Sequence, residues 1–204
     1  MEQIVDLGEQ AVFILMAIAS VLALAVGFER AFIFARGGSR GESILREIIA
    51  KLRENDISSL KELQTKSPKS IYARFAGFSA EHYDRGPESL SELMAGRVVA
   101  EKIELEKRLP ILSTLGNNAP FLGLLGTVLG VIKAFNGLGT LGNSGAEVVM
   151  KSISTALLAT AAGLFVAIPV VMTNNFFSKK LKVISQNLEI ISREFLACSN
   201  TKKV

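Results

Sequence analysis

The sequence has very few of the residues that build disulfides, metal centres and catalytic sites: one cysteine, one histidine and no tryptophan among 204 residues. The lone Cys198 excludes an intramolecular disulfide and a cysteine-based metal cluster. The lone His82 stands beside Glu81 and Asp84 in a polar segment, which indicates a surface side chain. No nucleophile, base and orienting group occur together, so we expect neither an enzyme nor a bound metal or cofactor.

Charge is missing from three stretches, and this absence sets the fold class. No Asp, Glu, Lys, Arg or His occurs in Gln10–Phe28, Leu109–Ile132 or Ser152–Ser178. A membrane-spanning helix needs about 20 apolar residues. The sequence therefore predicts an all-α integral membrane protein with three transmembrane helices and a soluble central segment. The net charge is only +4, with acids interleaved among the bases, so nucleic acid is not an expected partner.

The distribution of Lys and Arg predicts the orientation. Residues 1–10 carry three acids and no base, whereas the segments after the first and third runs are basic (Arg30, Arg36 and Arg40; Lys179, Lys180 and Lys182). Because Lys and Arg collect on the cytoplasmic side, we expect a periplasmic N-terminus and a cytoplasmic C-terminus in a bacterial inner membrane. Lys133 and Lys151 depart from this rule and are expected to extend along their helices to the interface.

Helical patterns divide the chain into seven segments. No Gly or Pro separates Glu101–Arg108 from Leu109, so one long helix from Pro87 is expected, with Pro110 and Pro120 as kinks. An S-x-x-E capping box, Ser144 to Glu147, opens the third span. Helices two and three are expected to extend far into the cytoplasm, and the third would be about 75–80 Å long in total from Gly145 to Leu196. The segments are a periplasmic N-terminus (1–10), transmembrane helix 1 (11–35), a cytoplasmic helical loop (36–86), a long helix with transmembrane helix 2 (87–135), a periplasmic turn (136–144), a long helix with transmembrane helix 3 (145–196) and a cytoplasmic tail (197–204).

Small and hydroxyl-bearing residues recur at helical spacing in the second and third spans. Small residues let helix backbones approach closely in lipid. Two interpretations stay open at this point: tight packing with each threonine bonded to its own helix, or a polar cavity lined by Thr127, Thr155 and Thr160. The candidates for helix packing or pore lining are Pro120, Gly123, Gly126, Gly130, Ala159, Gly163 and Pro169.

Two further patterns limit the function. Gly137-x-Gly139-x-x-Gly142 has the spacing of a dinucleotide fingerprint, but it lies between two spans and is interpreted as a turn. No Asp, Glu or His lies inside the three uncharged runs, although intramembrane proton carriers are usually such residues. We therefore expect any ion-coupled role to need an acid from another polypeptide.

Three segments resemble one family of membrane proteins. They are LPILSTLGNNAPFLGLLGTVLGVIKAF (109–135), ISTALLATAAGLFVAIPVVMTNNFF (153–177) and the Glu29-Arg30 pair that closes the first span. They are similar to the ExbB/TolQ branch of the MotA/TolQ/ExbB proton-channel family, closest to ExbB. The resemblance covers nearly the whole chain, and the predicted order of spans and loops is also similar.

The resemblance implies a homopentamer around an ExbD-like single-span partner, whose helix supplies an intramembrane Asp. Proton flow through such a complex energises a TonB-like protein for outer-membrane transport, or TolA in the TolQ case. Thr127 and Thr160 match the family's pore threonines, whereas Thr155 stands where the family usually has Glu. Glu29 and Arg30 mark the cytoplasmic boundary. The alternatives are a TolQ-type subunit, a motility stator, or a passive scaffold in the membrane lipids that conducts nothing.

Overall fold

The computed structural model describes residues 2–38, 41–141 and 145–201, and within these ranges the regular structure is entirely helical. The helices are α1 (Glu2–Gly38), α2 (Gly41–Arg53), α3 (Ile57–Lys66), α4 (Ile71–Glu81), α5 (Pro87–Glu106), α6 (Leu109–Leu141) and α7 (Gly145–Thr201), with a 3₁₀ turn at Tyr83–Arg85. Three segments are long and apolar enough to cross a membrane: Gln3–Ala35, Leu109–Gly137 and Ala146–Asn200. The all-α class and the three apolar helices expected from the sequence are thus confirmed.

The chain divides into two compact units. The apolar unit comprises Met1–Phe28 and Arg108–Phe176, and the amphipathic unit comprises Glu29–Lys107 and Phe177–Val204.

The apolar unit is built from the first part of α1, all of α6 and the first part of α7. Buried positions on α1 alternate in steps of four and three, and the same spacing recurs on the other two helices. Such steps keep one stripe of each helix facing its neighbours. The outward faces carry large apolar side chains, among them Leu24, Phe121, Leu124, Leu157 and Phe165. Apolar side chains on the outside suit a protein whose solvent is lipid.

The amphipathic unit buries large side chains instead. Residues below 2% exposure include one to three from every helix of the unit: Phe34, Ile48, Leu60, Phe75, Leu90, Met94, Leu188, Ile191 and Phe195. The rings of Phe34 and Phe177 stack with centroids 5.1 Å apart. This unit therefore has the water-excluding core of a soluble helical domain.

Capping side chains fix where the short helices begin. Asp56 accepts a hydrogen bond from the Ser59 backbone N–H at the start of α3, and Ser70 accepts one from the Ala73 N–H at the start of α4. Asn55 adopts a positive φ of 57° between α2 and α3, a conformation that Asn tolerates better than most residues. The helical loop expected at 36–86 therefore contains separate short helices, with α2 and α3 divided at Asn55.

The single helix expected over 87–135 is wrong, because α5 ends at Glu106 and α6 begins at Leu109. Pro110 explains the break. Its ring would clash with the carbonyl of residue 106 four positions earlier in a continuous helix. At the start of α6 its missing N–H costs nothing. Arg108, with a φ of 65°, makes the turn between the two helices.

The connection between α6 and α7 is shorter than the turn expected at 136–144. Helix α6 continues to Leu141, so part of the Gly-rich segment is helical. A Cβ at Gly137 would lie 2.9 Å from Val148 Cγ1, so this glycine permits a close approach near the hairpin end. The capping residue Ser144, Gly142 of the G-x-G-x-x-G pattern and the end of the tail lie outside the described residues.

Candidate functional site

Helices α6 and α7 approach each other closely in the apolar unit. A Cβ added at Gly163 would come within 2.7 Å of the Ala119 carbonyl oxygen, and one at Gly123 within 2.9 Å of the Ala159 carbonyl oxygen. Real Cβ atoms do not approach backbone so closely, so only glycine fits at both positions. The two backbones thus meet directly, as small-residue contacts allow in membranes.

Small residues continue this contact along both helices. Added Cβ atoms at Gly126 and Gly130 would each lie 2.6 Å from an alanine Cβ, that of Ala159 and that of Ala156. We call the set Gly123, Gly126, Gly130, Ala156, Ala159 and Gly163 the glycine seam. Five of the seven residues singled out from the sequence for packing lie on it. The other two do not: Pro120 is half-buried, and Pro169 is exposed within this chain.

The three candidate threonines have different hydrogen-bond partners. The Thr160 hydroxyl donates across the seam to the Gly123 carbonyl oxygen at 3.3 Å. The Thr127 hydroxyl donates to the Leu124 carbonyl at 2.6 Å, and that of Thr155 to the Lys151 carbonyl at 3.1 Å, each within its own helix. Thr127 and Thr155 are half-exposed beside the seam. The structure therefore does not gather the three hydroxyls into one cavity within the described part of the chain.

An ionic cluster links α1 to α6. Lys133 Nζ lies 2.7 Å from Asp6 Oδ1 and 3.2 Å from Glu9 Oε2. The Glu9 side chain is only 10% exposed, against 47% for Asp6. Lys133 of α6 is thus paired with two acids of α1, a contact that its expected extension toward the membrane interface did not include.

The sequence reasoning missed Glu9 as an inward-facing residue. Glu9 stands one position before the first uncharged run, at the end of the polar N-terminal segment, where a solvent-exposed side chain is expected. The signal was present in the spacing, because Val5, Glu9, Val12 and Met16 follow one another in steps of four, three and four, and all are buried. This heptad spacing places Glu9 on the same stripe as the apolar core residues.

A cavity of about 490 Å³ opens beside this cluster. Thr155 borders it, whereas Thr127 and Thr160 do not. Charged, polar and apolar residues line it: Glu9, Gln10, Phe13, Lys133, Val148, Lys151, Ser152 and Thr155.

Glu29 and Arg30, the expected boundary pair, form an ion pair in the amphipathic unit. Arg30 Nη2 lies 2.7 Å from Glu29 Oε1, and the Arg30 side chain is only 2% exposed. A buried guanidinium requires such a partner, because an unpaired charge is very costly away from water. The sequence did not predict the burial of Arg30, because an arginine just after an apolar run is usually expected to lie in solvent.

A second buried acid holds α4 and α5 together. Glu101 is 6% exposed and pairs with Arg74 at 2.9 Å and Arg97 at 2.7 Å. The Arg97 guanidinium also lies 5.6 Å from the centre of the Phe78 ring. Each carboxylate oxygen of Glu101 thus contacts an arginine within the unit, which indicates a structural role.

Both tyrosines of the chain lie in the amphipathic unit and are shifted in the same direction. Burial raises the pKa of Tyr83 to about 12, and the neighbouring Cys198 adds to the rise. Burial also raises the pKa of Tyr72, partly offset by a hydrogen bond that the Asn187 amide donates to the phenol oxygen at 2.9 Å. The Cys198 thiol itself donates to the Leu52 carbonyl at 3.2 Å.

Comparison with known proteins identifies the family. A model of the MotA/TolQ/ExbB proton channel family matches residues 48–190. The chain is 30% identical to the biopolymer transport protein ExbB of Neisseria meningitidis serogroup B over 194 residues, which cover 90% of this chain and 88% of the relative.

Two other relatives match over shorter stretches. The Tol-Pal system protein TolQ of Pseudomonas aeruginosa is 36% identical over 115 residues, 56% of this chain and 50% of the relative. The biopolymer transport protein ExbB of Xanthomonas campestris is 36% identical over 139 residues, 62% of this chain and 55% of the relative. The chain thus spans about half the length of these two relatives. With a family match across most of the chain and three apolar helices, the protein belongs to the MotA/TolQ/ExbB proton channel family.

Proposed function

We propose that this chain is the channel subunit of an ExbB–ExbD-type complex in the bacterial inner membrane. It would use the proton motive force to energise a TonB-like protein for outer-membrane transport. The observation that carries this proposal is the match to the Neisseria protein named ExbB, which covers 90% of this chain. A proton crossing the full membrane potential releases about 2.3 kcal/mol per 100 mV, which is the energy such a complex would harness.

The hydroxyls of Thr127, Thr155 and Thr160 form the ion pathway in this proposal. Each hydroxyl donates its proton to a backbone carbonyl, so its oxygen keeps lone pairs for accepting a hydrogen bond. Thr127 and Thr155 are half-exposed, which leaves them accessible to a water molecule or to a partner's acid. A hydroxyl can solvate a moving proton without placing a fixed charge in the membrane.

The assembly follows from what the family implies. Five copies would surround the single-span helices of an ExbD-like protein that carries an intramembrane Asp. The N-terminus would be periplasmic and the C-terminus cytoplasmic, with Glu29 and Arg30 at the cytoplasmic boundary. Helix α7 would reach from the membrane into the cytoplasm, where α5 would also lie. The exposed large apolar side chains of the apolar unit support contact with lipid or with other copies.

A TolQ-type role is the second candidate function. It is favoured by the 36% identity to the Pseudomonas protein named TolQ, over a shorter stretch. A motility stator belongs to the same class of explanation. The alternative of another class is a passive scaffold, which would assemble through its exposed apolar faces without conducting protons.

Genetic complementation separates these functions. The chain and its one-span partner are expressed in a strain that lacks both the ExbB and the TolQ systems. We expect growth on an iron source that requires outer-membrane transport, and loss of growth when the partner's intramembrane Asp is changed to Asn. Restored resistance to detergent without iron-dependent growth would favour the TolQ-type role. A complex that assembles but restores neither phenotype would favour the passive scaffold.

A further inference from the structure

The ionic cluster of the apolar unit contains two acids that differ in their surroundings. Asp6 and Glu9 both lie in the apolar segment Gln3–Ala35, and both contact Lys133, which lies in Leu109–Gly137. Asp6 is about half-exposed, and it does not border the cavity. Glu9 is nine-tenths buried and borders the cavity directly.

Glu9 occupies a position on a stripe whose other members are apolar. It follows Val5 and precedes Val12 on the buried stripe of α1. Replacing a buried ion pair by well-packed apolar side chains is often neutral or stabilising. A carboxylate retained at a buried position that borders a cavity therefore indicates a role beyond packing.

The cavity gives this carboxylate access to protons. Its volume of about 490 Å³ has room for several water molecules, and polar groups from all three helices line it. The charged groups that face or adjoin Glu9 are Asp6 on its own helix, Lys133 on α6, and Lys151 on α7. Glu147 lies one turn before Lys151 and is exposed.

We propose that Glu9 is a proton-binding site of this chain, loaded from the cavity that Thr155 and Ser152 also border. A carboxylate oxygen of Glu9 forms a bond to a proton released by a hydronium ion, which becomes water, and the reverse step returns the proton. Asp6 keeps Lys133 paired in both states, so the helices stay joined while Glu9 changes charge. Neutral Glu9 leaves the ammonium groups of Lys133 and Lys151 facing one acid fewer, which raises the positive potential of the cavity and favours release.

The proton-binding step stands on the geometry alone, whereas its place in proton translocation rests on the proposed function. As part of the pathway, Glu9 would supply an acid within this chain, in addition to the one expected from a partner. Glu9 lies immediately before the first uncharged run, so it is not among the residues of the three runs.

Infrared difference spectroscopy of the full chain in lipid nanodiscs tests proton binding. As the pH falls, we expect the carbonyl-stretch band of a protonated glutamic acid shielded from bulk water. Glu9→Gln should remove this band, and Asp6→Asn, which removes the same charge from the same lysine, should retain it. An unchanged glutamic acid band in Glu9→Gln would overturn the proposal. Should Glu9→Gln fail to fold, judged by its helical circular dichroism, Glu9→Asp must move the band to the aspartic acid position, and a band that stays in place overturns the proposal equally.

Growth in the complementation strain tests the place of Glu9 in translocation. We expect Glu9→Gln to slow iron-dependent growth several-fold. Glu147→Gln, which removes an exposed acid outside the cavity lining, should stay near the wild-type rate. Equal growth of Glu9→Gln and wild type would overturn the role in translocation. Failure of the wild-type chain itself to support growth would contradict the proposed function, and the infrared titration would then still decide whether Glu9 binds a proton.

Discussion

The two units of this chain place side chains of opposite size at their inner helix contacts. In the apolar unit the inner contacts are made by glycine and alanine, and large side chains such as Phe121 and Phe165 face outward. In the amphipathic unit Phe75 and Phe195 are fully buried. Lipid offers an apolar helix no gain from burying large side chains, so close backbone approach and interhelical hydrogen bonds must hold the first unit together. Water supplies the hydrophobic driving force for the second.

The difference teaches where each unit tolerates change. A position in the glycine seam has no spare volume, because its neighbours are backbone atoms that cannot rotate away. A core position of the amphipathic unit has neighbours that are side chains, and these relax partially when volume is removed. The same kind of substitution should therefore have different effects in the two units.

The largest effect is expected from Gly163→Leu. Already the first side-chain carbon would sit 2.7 Å from the Ala119 carbonyl oxygen, so α6 and α7 must separate. We expect loss of the stable detergent-solubilised protein in size-exclusion chromatography. Gly96→Leu on α5 is the matched control, since a Cβ there meets nothing within 4 Å. Equal stability of both variants would remove the basis for the glycine seam.

Phe195→Ala should have the next largest effect, in the other unit. The ring is fully buried beside Tyr83, with ring centroids 6.4 Å apart. Removing a buried Phe side chain typically costs about 3–5 kcal/mol. Hydrogen exchange followed by mass spectrometry should show faster exchange across α2–α5, with little change in α6. Faster exchange in α6 alone would contradict the division into two units.

A single methyl group should change stability in opposite directions in the two units. Gly126→Ala would put its Cβ 2.6 Å from the Ala159 Cβ, and overpacking of this kind costs about 1–3 kcal/mol. Gly96→Ala meets open space inside a helix and should stabilise by about 0.5–1 kcal/mol. Thermal unfolding in detergent measures both variants, and a shift of the same sign for the two would count against the comparison.

The smallest effect concerns the tyrosines, both of which report on the amphipathic unit. Because burial raises the folded pKa of Tyr83 to about 12, the folded state holds this proton more tightly than the unfolded state. The resulting stabilisation is complete below the unfolded value near pH 10 and is lost as the pH rises toward 12. Phenolate absorbance should therefore appear near pH 10 only in denaturant. Tyr83→Phe should remove the phenolate absorbance that appears only as the pH approaches 12. Wild-type protein whose tyrosines all ionise near pH 10 without denaturant would contradict the burial of Tyr83.

The sequence was sufficient for the elements that depend on composition and local spacing. Uncharged runs located the three apolar helices. Five of the residues that the glycine and alanine spacing singled out in α6 and α7 lie on the glycine seam. Pro110 was expected to kink one continuous helix. Its ring instead clashes with the helical position of the Glu106 carbonyl, so the helix ends there and a turn forms at Lys107–Arg108.

Ion pairs between residues far apart in the chain could not be predicted from the sequence. Glu9 and Lys133 are 124 positions apart, and nothing local links them. The same holds for Arg74 and Glu101, 27 positions apart. Burial of Arg30 depends on which helices surround it. Such contacts follow from tertiary packing, whereas a charge at the end of an apolar run has the same local signature whether it faces solvent or a partner.

Proton flux is the most direct test of the account. The chain and its one-span partner are reconstituted in liposomes that enclose a pH-sensitive dye, and a membrane potential is imposed. The account predicts proton entry that Thr160→Val abolishes and Thr160→Ser retains, because serine keeps the hydroxyl. It also predicts no flux when the partner's intramembrane Asp is changed to Asn. An intact complex that passes no protons, or flux that is unchanged in Thr160→Val and in the Asp variant, would contradict the proposal that this chain is a proton channel subunit.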